Sequence, residues 1–136
     1  MIEERHRKLH RFIQQRARAS YRSAFYYERD NWEPLYVRDD VASQRLRDEL
    51  PDIVKRARQN QPLLREEDYP PLGEVHATSE VHEGGVILHF PEGPEVGTIV
   101  SLDRDAARRL AGFVSQAMTI LQSPQSSEYR AGTVDD

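Results

Sequence analysis

The sequence predicts an α+β domain in which three helices pack on a five-stranded, mostly antiparallel sheet. Apolar residues recur at helical spacing in three segments, and five shorter segments show strand patterns separated by turn residues. The predicted element order is αββαβββα. The chain of 136 residues has the length of one domain. We predict that domain over residues 1–122, followed by a disordered polar tail at 123–136.

The first helix is predicted at residues 3–20, where Leu9, Phe12, Ile13 and Ala17 form an apolar stripe. Residues 1–22 include seven basic and two acidic side chains, although the whole chain has a net charge of −4. This asymmetry is typical of a solvated helix face, or of an arm that binds nucleic-acid phosphates. The candidate phosphate contacts are Arg5, Arg7, Lys8, Arg11, Arg16 and Arg18.

An aromatic hairpin follows, with strands predicted at 21–28 and 33–38 and a turn at 29–31. Pro34 has no backbone donor, so its strand is expected at a sheet edge. Since alternate residues cannot all face one core, we expect Tyr26 or Tyr27, with Trp32, at the surface or under a terminal helix. The hairpin carries six aromatic residues: Tyr21, Phe25, Tyr26, Tyr27, Trp32 and Tyr36. Core packing and partner binding both remain open for them, because amphipathic aromatics favour interfaces.

Asp39 and Asp40 are predicted to cap the second helix, whose apolar residues continue at helical spacing to Ala57. Pro51 is expected to kink this helix or to begin a new one. The next segment, residues 59–72, contains three prolines and is a candidate functional loop.

The remaining strands are predicted at 74–82, 86–90 and 96–102. The second strand carries Pro34 and the third is polar on one face, so both are placed at edges, which gives the order 2-1-5-4-3. Asp103 is predicted to cap a third helix with apolar residues from Ala106 to Leu121. Helices 1 and 3 are expected on one sheet face and helix 2 on the other.

A histidine cluster is the strongest candidate for chemistry. A hairpin turn at Gly84–Gly85 would place Glu80 opposite His89 and His82 diagonal to it. These groups could hold a divalent metal, or one histidine could titrate near neutral pH. Polar cross-strand pairing is the competing interpretation, and the HExxH spacing of many zinc sites is missing. We therefore expect a protein that is not an enzyme, without catalytic, metal-binding or cofactor-binding residues.

The sequence also excludes several classes of site. Without cysteine the chain has no disulfide framework, thiol nucleophile or Cys-type zinc site. It lacks a P-loop, a GxGxxG motif and a GxSxG nucleophile elbow. No run approaches the roughly 20 apolar residues of a membrane span, and the N-terminus has no apolar signal core, so we expect a cytoplasmic protein.

Two stretches resemble a family of uncharacterised small proteins from halophilic archaea. They are SAFYYERDNWEPLYVRDDV at 23–41 and ILHFPEGPEVGTIVSLDRDAARRLAGFV at 87–114. That family has no assigned activity, so the resemblance implies lineage and fold but no site residues. The element order also resembles the roadblock/longin group of profilin-like folds, which implies dimerisation and binding to small GTPases or other partners. The basic first helix, Pro51 and the proline-rich loop depart from that pattern.

We therefore expect a non-enzymatic protein-interaction or regulatory module that forms a homodimer and binds a further protein of unknown identity. The third strand is a proline-free edge that could pair with a second copy. Its candidate contacts Glu74, His76 and Glu80 join Tyr26, Trp32 and Tyr36. A nucleic-acid-associated protein that uses the basic helix is the alternative function, and a small-molecule sensor is a second alternative.

Overall fold

The computed structural model describes residues 2–111 and 119–120. Its five strands are β1 (Tyr21–Glu28), β2 (Asn31–Val37), β3 (Thr78–His82), β4 (Gly85–Gly93) and β5 (Val96–Leu102). They form one antiparallel sheet in the order β2-β1-β5-β4-β3. This confirms the predicted α+β class and strand order.

Three helices accompany the sheet. Helix α1 (Glu4–Ala17) ends in a 3₁₀ turn at Arg18–Ser20, so the helix predicted to residue 20 changes type before its end. Helix α2 spans Gln44–Arg58. In the segment of the predicted third helix, residues 108–111 (α3) are helical and follow a 3₁₀ turn at Arg104–Ala107, and residues 119–120 are also helical. The rest of its predicted apolar stripe and the predicted tail at 123–136 lie outside the described residues.

Helices α1 and α2 cover opposite faces of the sheet, as predicted. On the α1 face, Ile13 packs in a buried cluster with Tyr21, Ala24 and Val100. On the α2 face, the buried cluster is Val54, Tyr27 and Ile99. Since consecutive strand residues alternate between faces, neighbours such as Ile99 and Val100 serve different cores.

The prediction that Asp39 and Asp40 cap α2 is wrong. Ser43 is the cap, because its Oγ accepts a hydrogen bond from the Leu46 backbone N–H at 3.1 Å. The two aspartates lie in a turn that is too early in the chain to reach the first helical N–H groups. The Asp40 carboxylate accepts hydrogen bonds from the Arg38 guanidinium instead.

Pro51 neither ends α2 nor begins another helix. The helix runs unbroken from Gln44 to Arg58 with Pro51 inside it. The proline therefore removes one backbone donor from the helix interior while Leu50 and Val54 stay buried on either side of it. Burial of this apolar face explains why the helix tolerates the loss.

Asp103 precedes the 3₁₀ turn before α3, but its side chain makes no capping hydrogen bond, contrary to the prediction. Its carboxylate accepts hydrogen bonds from both terminal nitrogens of Arg38, at 2.7 and 3.1 Å. These bonds hold the pKa of Asp103 below its ordinary value. Asp103 thus connects the end of β5 to the end of β2, where Arg38 follows the strand.

The hairpin between β3 and β4 turns one residue earlier than predicted. Its turn residues are Glu83 and Gly84, so His82 pairs with Gly85. A Cβ atom at Gly85 would lie 2.9 Å from the Leu102 carbonyl oxygen, so this glycine belongs to the strand, where β5 approaches closely. Strand β3 also begins at residue 78 rather than 74.

The second strand also differs from the prediction, because β2 spans Asn31–Val37 and not residues 33–38. The β1–β2 turn is Arg29–Asp30, and Asn31 already pairs with Glu28. Pro34 lies in β2, which is an edge strand as predicted.

In the part of the chain that the structure describes, no helix combines the length and apolar character needed to cross a membrane.

Candidate functional site

An open groove of about 660 Å³ lies on the α2 face, between α2 and the edge strand β3. Its floor includes Ile87 and Ile99, which are carried by the two neighbouring strands β4 and β5. One wall is a face of α2 with residues three and four apart, namely Arg45, Glu49, Ile53 and Arg56, and Asn60 extends this wall beyond the end of the helix. The other wall is formed by the three β3 residues that share this face, Thr78, Glu80 and His82.

His89 lies in the groove floor and is committed to a buried tyrosine. Its Nε2 is 2.9 Å from the hydroxyl of Tyr27, and the two rings lie 5.8 Å apart. Burial raises the pKa of Tyr27 to about 12 and lowers the pKa of His89 below its ordinary value. The pair is therefore neutral at physiological pH, with one imidazole nitrogen occupied.

The predicted histidine cluster does not form as predicted. Thr78, not Glu80, is opposite His89, and Glu80 is opposite Ile87. Glu80 and His82 still share a face, with Oε1 and Nε2 3.0 Å apart and both side chains exposed. Among residues 2–111 and 119–120, no three His, Cys, Asp or Glu side chains converge to hold a metal ion.

The aromatic residues proposed as partner contacts lie largely in the core. Tyr26 is only 4% exposed, and its ring centroid is 4.3 Å from that of His6. Tyr36 is half-buried, with its ring 4.4 Å from that of Tyr21. Trp32 is half-buried against the cluster that contains Tyr27. The helices thus cover most of the aromatic surface that the sequence left open.

Glu74 and His76 are exposed, but they precede β3 rather than belonging to it. The Nδ1 atom of His76 and Oε1 of Glu74 are 3.9 Å apart, at the limit of an ion pair. Of the predicted edge contacts, only Glu80 is within the strand itself.

Three of the six basic residues predicted to contact phosphates are paired with carboxylates. Arg5 binds Glu92 at 2.8 Å, and Arg7 and Arg11 both reach Glu4, at 3.2 and 3.3 Å. Within the described residues, the remaining three form no ion pair, namely Lys8, Arg16 and Arg18. The positive face of α1 is thus partly neutralised by its own acidic neighbours.

Phe12 is not buried with Ile13, as its place in the predicted apolar stripe implied. It is 52% exposed, and the Arg16 guanidinium lies 5.0 Å from its ring centroid. The face of α1 that packs on the sheet instead includes His6, which is buried seven residues before Ile13, and His10, which is three residues before Ile13 and contacts the Tyr21 hydroxyl. That spacing was present in the sequence, but histidine does not register as an apolar residue.

A polar network that local sequence patterns do not indicate lies under α1. Glu92 accepts hydrogen bonds from Nε2 of His6 at 3.0 Å and from the Thr98 hydroxyl. The Glu3 backbone N–H donates to Nδ1 of His6 at 2.9 Å, so the ring proton lies on Nε2 and points at Glu92. His6 and Thr98 are each only 2% exposed, so this network anchors α1 to the sheet.

The loop at 59–72, predicted to be functional, presents an unusual apolar surface. Four of its large apolar side chains are exposed: Leu63 at 102%, Leu64 at 48%, Tyr69 at 49% and Leu72 at 68%. The loop joins α2 to β3, the two elements that form the groove walls. Exposed apolar residues concentrated in this way are typical of interaction surfaces.

The two groove walls, the edge strand and the loop therefore come from one stretch of the chain, residues 44–82. No curated protein matches the chain, and no solved structure matches it. The family model described as "Domain of unknown function (DUF7522)" matches residues 7–122, so the chain belongs to that family.

Proposed function

We propose that the protein is a non-enzymatic interaction module that forms a homodimer through β3. The observation that carries this proposal is the difference between the two sheet edges. Strand β2 contains Pro34, which cannot donate a backbone hydrogen bond, whereas β3 is free of proline and has β4 as its neighbour on one side. Only the β3 edge offers a second strand backbone groups that no proline interrupts.

The apolar loop supports an interface in the same region. Leu63 and Leu72 are the most exposed of its apolar side chains, and only residues 73–77 separate the loop from β3. A partner that covers this loop gains apolar burial in addition to backbone pairing. We place the further protein partner here, while the second copy occupies the strand edge.

The element order shared with roadblock/longin domains supports dimerisation and favours a small GTPase as the further partner. The stretches at 23–41 and 87–114 favour an origin in halophilic archaea, and the excess of arginine, seventeen against two lysines, agrees with salt adaptation. A cytoplasmic location belongs to the same proposal.

A small-molecule sensor is the second candidate function, and the groove favours it. Its volume of about 660 Å³ is within the range of ligand pockets, and it combines an apolar floor with arginine and histidine side chains. A nucleic-acid function has less support, because Arg5, Arg7 and Arg11 are already paired with carboxylates.

Sedimentation velocity at tens of micromolar protein, in low and in molar salt, tests the homodimer. We expect a dimer for the wild type and a monomer for Val81→Pro, which removes a backbone donor from the edge strand. Val81→Ala is the matched control, because it keeps the backbone donor and should remain dimeric. Circular dichroism and Trp32 fluorescence check that each variant is folded. A monomeric wild type under both salt conditions overturns the proposal.

A further inference from the structure

We infer that two copies pair their β3 strands about a two-fold axis at Val81, so that Glu80 of each protomer faces His82 of the partner subunit. This inference rests on the homodimer proposed above and adds the register of its interface.

The hairpin decides which backbone groups of β3 are free. His82 and Gly85 flank a two-residue turn, and the residues that flank such a turn form a hydrogen-bonded pair. Since hydrogen-bonded and non-hydrogen-bonded pairs alternate, Thr78 and Glu80 also direct their backbone groups toward β4. The backbone N–H and C=O groups of Ser79 and Val81 therefore point outward, where a second strand can form hydrogen bonds with them.

Three antiparallel registers with the two-fold axis at an inner residue of β3 satisfy this backbone pattern, namely at Ser79, Glu80 or Val81. An axis at Glu80 brings the two Glu80 carboxylates together in a non-hydrogen-bonded pair, where Cα atoms are about 4.5 Å apart. An axis at Ser79 places each Glu80 opposite a threonine and, like an axis at Val81, pairs three residues of each β3. Only an axis at Val81 pairs each carboxylate with an imidazole.

The Val81 register also extends a contact that already exists within one protomer. Oε1 of Glu80 and Nε2 of His82 are 3.0 Å apart, yet the side chains are 72% and 59% exposed. Such an exposed pair contributes little to the stability of a monomer. Across the axis, two glutamates and two histidines would alternate around a square, so every carboxylate has an imidazole on two sides. We therefore assign this pair a role in selecting the register.

The same register has a consequence for the groove. Glu80 and His82 line the groove, so they mark the face of the sheet that α2 covers. A two-fold axis perpendicular to the sheet keeps equivalent faces on the same side. The grooves of the two protomers then adjoin across the seam, between their two α2 helices.

Single-cysteine variants test the register directly, because the chain has no native cysteine. Val81→Cys should oxidise rapidly to a covalent dimer, since a hydrogen-bonded pair has a Cα separation of about 5.5 Å, within the range for a disulfide. Ser79→Cys should form that dimer at least tenfold more slowly. Neither substitution changes Glu80 or His82. Non-reducing electrophoresis and mass spectrometry measure the products.

Other cross-linking patterns overturn the inferred register. Rapid dimerisation of Ser79→Cys places the axis at Ser79. Cross-linking that needs a mixture of Ser79→Cys and Val81→Cys protomers places it at Glu80. If no variant cross-links while the wild type sediments as a dimer, the interface lies away from β3. A wild type that sediments as a monomer instead overturns the homodimer itself.

A charge exchange provides an independent measurement. Glu80→Lys should raise the dimer dissociation constant by about threefold to tenfold, because it sets a lysine beside His82 of the partner subunit. Adding His82→Glu to that variant should restore the wild-type dissociation constant, since opposite groups again face each other. With the axis at Glu80, the two lysines would still meet and the second substitution would restore nothing, which overturns the inference.

Discussion

Glu92 supplies the strongest single test of how α1 is held on the sheet. Its carboxylate accepts hydrogen bonds from His6, Thr98 and Arg5, which belong to α1 and β5. The side chain is 19% exposed, while His6 and Thr98 are almost fully buried. We predict that Glu92→Gln destabilises the fold moderately and that Glu92→Ala destabilises it more.

The expected magnitudes follow from the partners left behind. Arg5 is half exposed, so its bond to Glu92 contributes little. Glutamine can still accept from His6, but neutral bonds have roughly half the strength of charge-assisted ones, so we expect a loss of about 1–2 kcal/mol. Alanine leaves two buried donors, on His6 and Thr98, without an acceptor, so we expect a loss of about 2–4 kcal/mol.

The pH dependence of unfolding distinguishes the contribution of the Glu92 charge to stability from the contribution of its side-chain shape. Burial raises the pKa of Glu92, but hydrogen bonds from Thr98, Arg5 and His6 outweigh burial, and the net pKa lies below its ordinary value of 4.5. A lowered pKa means that the wild-type advantage is fully present above pH 4.5 and is lost as the pH falls through the folded-state pKa. The Glu92→Gln difference should therefore disappear in acid.

Urea unfolding, followed by circular dichroism and Trp32 fluorescence at fixed protein concentration, measures these differences. Glu66→Gln is the matched control, because Glu66 is exposed, and its effect should be within about 0.5 kcal/mol of zero. Equal stability of wild type and Glu92→Gln at pH 7 would refute the reasoning. So would a difference that persists unchanged at acid pH, because it could not come from the carboxylate charge.

Three further substitutions test local features of the fold by the same unfolding assay. Gly97→Ala should cost about 1–3 kcal/mol, because its Cβ would lie 2.7 Å from the Tyr27 hydroxyl; an unchanged stability would contradict this close packing. Arg18→Gly should stabilise the protein by about 1 kcal/mol, because Arg18 has φ 51° after α1; a loss of stability would show that its side chain matters more than backbone strain. Ser43→Ala should cost about 1 kcal/mol by freeing the Leu46 N–H, and no cost would remove Ser43 as the cap.

Local patterns predicted the strands where both ends carry clear signals. Strands β1 and β5 begin and end at the predicted residues, Tyr21–Glu28 and Val96–Leu102, because apolar runs there meet turn residues directly. Pro34 and the polar face of β3 predicted both edges, and the strand order followed from them. These features depend on neighbours in the sequence, so the sequence contains them.

The errors arose where a distant backbone or side chain decides. Asp40 and Asp103 have the composition of helix caps, but Arg38 lies between them in space and takes both carboxylates. The β3–β4 register depends on Gly85, whose place under the Leu102 carbonyl is visible only when β5 is present. An aspartate near a turn can cap a helix or form an ion pair, and a glycine there can belong to the turn or to the strand. Contacts with distant parts of the fold decide which role each residue has.

By itself, the sequence determined the α+β class, the strand order and the proline-free edge on which the proposed homodimer depends. The tertiary structure decided which polar groups form hydrogen bonds inside the protein and which remain exposed. Glu92 and His6 are 86 residues apart in sequence, and His89 and Tyr27 are 62 apart, yet each pair is within hydrogen-bond distance. A hydrogen bond requires a donor–acceptor distance that is correct to within a few tenths of an ångström, whereas hydrophobic burial requires only that a side chain lies on the correct face. For this reason periodicity predicted the architecture, and only the packed chain could identify the His6–Glu92 and Tyr27–His89 pairs.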